Sequence, residues 1–122
     1  MSLVARHLEA NGLPTVIMGC AKDIVEHCGV PRFLFSDFPL GNSAGHPFDA
    51  ESQAATLELA LRVLETAPAA RTTVQSPLRW RDDASWKLDF MNLDALTDAE
   101  IAERRKEFDG VKAVIRTKQE GA

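Results

Sequence analysis

The chain has 122 residues, of which 45% are apolar, and a formal charge of −4. That length holds one domain with one ordinary core, with little stability to spare. No apolar run approaches the roughly eighteen residues that cross a membrane, and the N-terminus lacks the unbroken apolar stretch of a signal peptide, so the cytoplasm is the expected location. The basic residues around Arg104-Arg105 are too few to neutralise a phosphate backbone, which excludes nucleic acid as a partner class. Cys20 and Cys28 lack CxxC spacing and are expected to be reduced thiols.

Residues 3–10 place Leu3, Val4, His7 and Leu8 at helical spacing, and Asn11-Gly12 is a stop signal, so a helix is predicted from the start of the chain. Its first-turn donors are left for solvent or another chain to satisfy. Leu13 to Met18 is a continuous apolar run after a turn signal, as in a parallel strand buried on both faces. Gly19-Cys20 ends it. A short helix over 21–27, closed by Gly29, leads into a second apolar run, Phe33-Leu34-Phe35.

The stretch Pro39-Leu40-Gly41-Asn42-Ser43-Ala44-Gly45-His46-Pro47 follows that second strand. Glycines at 41 and 45 free the backbone to turn its N–H groups toward an anionic group such as a carboxylate. The alternative is a plain strand-to-helix connection with Gly and Pro as punctuation. A helix is predicted next, over 49–67, with Asp49 as N-cap, Leu57, Leu61, Leu64, Ala54 and Ala60 as its buried stripe, and Pro68 as its stop.

This order of elements predicts an α/β fold: a small parallel sheet with covering helices, resembling half of a Rossmann domain. Ligands of such sheets bind beyond the carboxyl ends of the strands, which would bring Cys20 to the same edge as the glycine loop. Ala67-Pro68-Ala69-Ala70 reads as a linker, dividing a core at 1–67 from a C-terminal extension at 68–122. Within the extension, Thr72-Thr73-Val74 is a candidate edge strand, and residues 76–90 hold Trp80 and Trp86 without a clear period. The tryptophans either anchor a partner or fold back on their own core. Thr97-Asp98-Ala99-Glu100 is a capping box opening a charged helix with Ile101, Phe108, Val111 and Ile115, in which Gly110 is a candidate break.

Cys20, between a strand end and a helix start, is the candidate catalytic residue, since a helix dipole there would lower its pKa; the competing reading is apolar filler. Cys28 lies at the wrong end of the dipole. Gly41, Asn42, Ser43, Gly45 and His46 are the candidate substrate-binding residues, with His46 able to orient a carboxylate or move a proton, or else merely exposed. Arg32 and Asp37 flank the second strand and pair either with substrate or, as the preferred expectation, with each other. The histidines and cysteines have no metal-ligand spacing, so no metal is predicted.

The strings Leu8-Glu9-Ala10-Asn11-Gly12-Leu13-Pro14-Thr15-Val16, Gly29-Val30-Pro31-Arg32 and Pro39-Leu40-Gly41-Asn42-Ser43-Ala44-Gly45 with Pro47 together resemble the selenoprotein subunits of the D-proline reductase and glycine/sarcosine/betaine reductase component B family. The resemblance covers about the first half of the chain. It implies reductive cleavage of a carbon–nitrogen bond of a small amino acid, by a selenocysteine or cysteine in a short redox motif and a partner subunit that carries a pyruvoyl group. In that family the motif lies just before the helix that opens this chain. The redox residue is therefore expected upstream in a longer reading frame or on another polypeptide, and Cys20 does not occupy its position.

Three functions follow as expectations. The first is a reductase-family subunit acting in a homo- or hetero-oligomer with other reductase subunits, binding no cofactor itself. The others are a non-catalytic structural subunit that keeps the fold, and a small thiol protein acting through Cys20.

Overall fold

A computed structural model describes residues 1–89, 92, 94 and 96–120. The chain is α/β, and its elements run α1 (Ser2–Ala10), β1 (Ile17–Gly19), α2 (Lys22–His27), β2 (Arg32–Phe35), α3 (Ala50–Thr66), β3 (Thr72–Gln75), α4 (Trp86–Asp89) and α5 (Asp98–Glu120). The three strands form one parallel sheet in the order β1-β2-β3. Two compact units make up the chain, Met1–Ala84 and Ser85–Ala122. β3 follows the Ala67–Ala70 linker yet pairs with β2, so the sheet draws on both sides of that linker. Phe90, the end of the tryptophan-bearing stretch, lies outside the described residues. No helix among the described residues is long and apolar enough to cross a membrane.

β2 is the centre of the sheet, and its alternating side chains feed two cores. Phe33 points to one face, where it packs with Val25 of α2, Val30, Ile17 and Phe35. Leu34 points to the other, against Ala60 and Val63 of α3, with Val16, Met18 and Leu59 around them. Phe33 and Leu34 are 1% and 0% exposed, and full burial of such a side chain contributes roughly 1.5–3 kcal/mol. Gly19 makes room for this packing, since a Cβ there would sit 3.1 Å from the Phe33 ring.

Several expectations change once the partners are visible. β1 is a half-buried edge strand of three residues, because among the described residues only β2 lies beside it. On α1 the buried residue is Ala5, while Leu3 and Val4 are exposed. The helix is instead tied down through Glu9, whose carboxylate accepts from the Thr15 N–H and from Arg32, and through Arg6, which donates to the Cys28 carbonyl. Arg32 therefore pairs with Glu9 and not with Asp37. The two sit at opposite ends of β2, at about 3.3 Å per residue, too far apart to meet.

α3 begins as predicted, with the Asp49 carboxylate accepting from the Glu51 and Ser52 N–H groups. Its buried stripe differs in part: Ala60 is buried as expected and lies with Val63 against Leu34, Ser52 and Thr56 are buried in the turns before them, and Leu57 and Leu61 are about half exposed. The small side chains let the helix lie close on β2, and the Thr56 hydroxyl is satisfied by donating to the Ser52 carbonyl at 2.8 Å. In the second unit, Thr97 and Glu100 form the reciprocal capping box, and α5 continues through Gly110 without a break.

Candidate functional site

The three strands end level with one another, because Gly19 pairs with Phe35 and Phe35 with Gln75. The ladder continues one step further. Ser36 donates its N–H to the Gly19 carbonyl at 2.9 Å, and Ser76 donates to the Phe35 carbonyl at 2.7 Å. Cys20, Ser36 and Ser76 thus stand side by side at the carboxyl edge, with both serines buried. Sequence reasoning missed the serines; they are the first residues past β2 and β3, and only the register reveals that they are neighbours.

The chain turns back over this edge immediately after β2. The Phe38 N–H bonds the Ser36 carbonyl at 2.8 Å, and the Asn42 N–H and Nδ2 bond the Pro39 carbonyl at 3.1 and 3.3 Å. Gly41 has φ +96, as the third residue of such a turn requires, and a Cβ there would meet open space. The backbone amides of Phe38 and Asn42 lie against the Cys20 thiol, so the turn and the thiol share one place.

That environment does not activate Cys20. Burial pushes its pKa up, and the nearby Asp37 carboxylate pushes the same way. The Phe38 and Asn42 amides oppose this without overcoming it. The lowering expected from a helix dipole does not prevail, because burial dominates at this thiol.

The second half of the loop is held by α3. Gly45 has φ +109, and a Cβ there would sit 2.8–2.9 Å from backbone atoms of Ser52 and Gln53. Its glycine serves close packing of loop on helix. His46 donates its N–H to the Ser52 Oγ at 2.8 Å, and its carbonyl accepts from the Gln53 Nε2 at 2.9 Å. The imidazole Nε2 lies 3.0 Å from the Arg79 carbonyl, and the ring stacks on Trp80 at 4.7 Å with Phe38 at 4.8 Å. Phe38 meets Trp80 edge-on at 5.5 Å, closing an aromatic triad. Trp80 thereby folds back on its own core. Trp86 sits in the second unit with Lys87 over its ring at 5.5 Å.

The candidate residues accordingly fall into two groups. Cys20 and Asn42 come together, flanked by exposed Gly41 and half-buried Ser43, while Gly45 and His46 anchor the loop to α3 and Trp80. The amino end of α3 already carries the Asp49 carboxylate, held below the usual range first by the Ser52 N–H and also by the Ser52 hydroxyl, the Glu51 N–H and His46. The amino end of α3 is thus capped by a carboxylate of the chain itself. A cavity of about 130 Å³ lies elsewhere, lined by Glu26, Val30, Arg71 and Thr73. Among the described residues no three His, Cys, Asp or Glu side chains gather as a metal site.

The chain is similar to the D-proline reductase subunit gamma of Acetoanaerobium sticklandii, with 32% identity over 78 residues. The match takes in 64% of this chain and 32% of that protein, so the chain spans about a third of the relative's length. The relationship to the proline reductase family is a distant one. No protein-family pattern matches the chain, and no solved structure matches it.

Proposed function

We propose that the chain is a subunit of a reductase complex related to D-proline reductase. In this reading the Pro39–Ser43 turn, at the carboxyl edge of the sheet, receives the anionic end of a small amino-acid-like substrate. The observation that carries it is the similarity to a D-proline reductase subunit, joined to a turn with exposed Leu40 and Gly41 at the sheet edge beside Cys20. The bond-breaking chalcogen comes from a redox motif outside these 122 residues, and the pyruvoyl group from a partner chain. A raised thiol pKa makes Cys20 a poor nucleophile at neutral pH, because the thiolate is the attacking species. Its role is to line the place where the substrate carboxylate lies.

A structural subunit without catalytic contact is the second reading. The use of Gly45 and His46 for internal packing favours it. Affinity purification of the tagged full chain from its own cells separates the two. The expected result is a complex containing a hydrazine-reactive, pyruvoyl-bearing subunit that reductively opens D-proline when a dithiol is supplied, with substrate affinity weakened by Asn42→Asp. A complex whose substrate affinity ignores Asn42→Asp supports the structural reading, and a chain recovered with no reductase activity overturns both. Iodoacetamide should label Cys20 more slowly at pH 7 than a free cysteine, whose pKa is about 8.5. Faster labelling would return the nucleophile to Cys20.

A further inference from the structure

We propose that α5 pairs in parallel with α5 of a second copy of this chain, as a short two-stranded coiled coil. The proposal does not rest on the reductase reading.

Every described side chain from Asp98 to Thr117 is exposed, apolar ones included. Phe108 is 67% exposed, and Ile101, Val111 and Ile115 are about half exposed. These residues are not scattered around the helix. Ile101, Phe108 and Ile115 recur every seven residues and Val111 lies three after Phe108, which makes them a, a, a and d of a heptad repeat. A β-branched residue at a suits a two-stranded parallel pair. Arg104 and Lys118 take the other d positions, so the seam is short and the pairing weak.

Charge selects the partner and its direction. In this register Glu100 and Glu107 are g residues, while Arg105 and Lys112 are e residues. A parallel pair brings each g beside the e residue five positions further along the other helix, so Glu107 faces Lys112 and Glu100 faces Arg105, twice over by the two-fold axis. An antiparallel pair would set glutamate against glutamate and cation against cation. Within the chain, Arg105, Glu107 and Lys112 make no ion pair with any described residue, which leaves them available. The Glu100 carboxylate already accepts from Thr97, so Glu107 and Lys112 are the decisive pair. A lipid surface is a poorer occupant, because α5 carries six acidic and six basic residues and lacks the cationic polar face of a membrane-surface helix.

Sedimentation equilibrium on the full chain tests this, with circular dichroism confirming that each variant keeps its helix. The wild-type chain should reversibly dimerise. Glu107→Lys and Lys112→Glu should each weaken the dimer roughly tenfold, since each turns two attractions into two repulsions. An equimolar mixture of the two variants should regain wild-type affinity as a heterodimer, because in the parallel pair each reversed charge then faces its complement. A wild-type chain that stays monomeric, a dimer indifferent to both reversals, or a mixture that fails to recover would each overturn the proposal.

Discussion

β2 and α5 both carry large apolar residues, and the protein treats them in opposite ways. Phe33 and Leu34 of β2 lose nearly all contact with water, each to a different helix or strand of the first unit, while Phe108 of α5 keeps most of its surface exposed. A strand alternates its side chains and can feed two cores at once, so four residues suffice to organise residues 1–84. A lone helix presents one stripe and needs a second surface of matching shape before that stripe contributes anything. β2 finds its burial within the first unit, and the apolar residues of α5 find none among the described residues.

The sharpest way to break this contrast is to remove the shared centre of the first unit. Leu34→Ala should cost about 3 kcal/mol, as expected for a fully buried leucine, and chemical denaturation followed by fluorescence of Trp80 would read the loss. Gly45→Ala should come next, at about 2 kcal/mol, because the added Cβ meets the backbone of Ser52 and Gln53 and the positive φ is strained for alanine. Its effect should include a weakened stacking of His46 on Trp80, visible in the fluorescence of the folded state.

Glu9→Gln should cost about 1 kcal/mol at neutral pH. The Glu9 carboxyl is held below the usual range, first by the Thr15 N–H and then by Arg32 and the Thr15 hydroxyl. A depressed carboxylate stabilises the fold above the unfolded pKa of about 4.3, and that contribution disappears as the pH falls through the folded value. The difference between the wild type and Glu9→Gln should therefore shrink to nothing on acidification; a gap that persists at pH 2 would locate the role of Glu9 in something other than its charge. Smallest of all, Phe108→Ser should change the stability of the first unit by less than about 0.5 kcal/mol in dilute solution, while abolishing any concentration dependence of melting.

How much was legible beforehand depended on whether a residue's role is local. The parallel α/β order, the Asp49 cap and the Thr97–Glu100 box are written in short spacings, and the structure contains each of them. So is the turn at Pro39, where Gly41 adopts the positive φ that its position requires. The two loop glycines look alike in sequence, yet Gly41 faces open space and Gly45 lies against a helix backbone, a distinction no local pattern carries. On α3 the expected Ala60 is buried, but the smaller Ser52 and Thr56 take the places expected for Leu57 and Leu61, because helix and sheet approach more closely over small side chains.

By itself, then, the order of residues determined where strands, turns and caps form, since those depend on neighbours a few positions apart. Tertiary structure alone decided the rest: that Arg32 reaches Glu9 and not Asp37, that His46 spends its ring on Trp80, and that Cys20 lies beside the Phe38 and Asn42 amides with its thiol pushed up by burial. Partners that meet only after the chain has folded have no fixed separation along it, and desolvation depends on everything packed around a group.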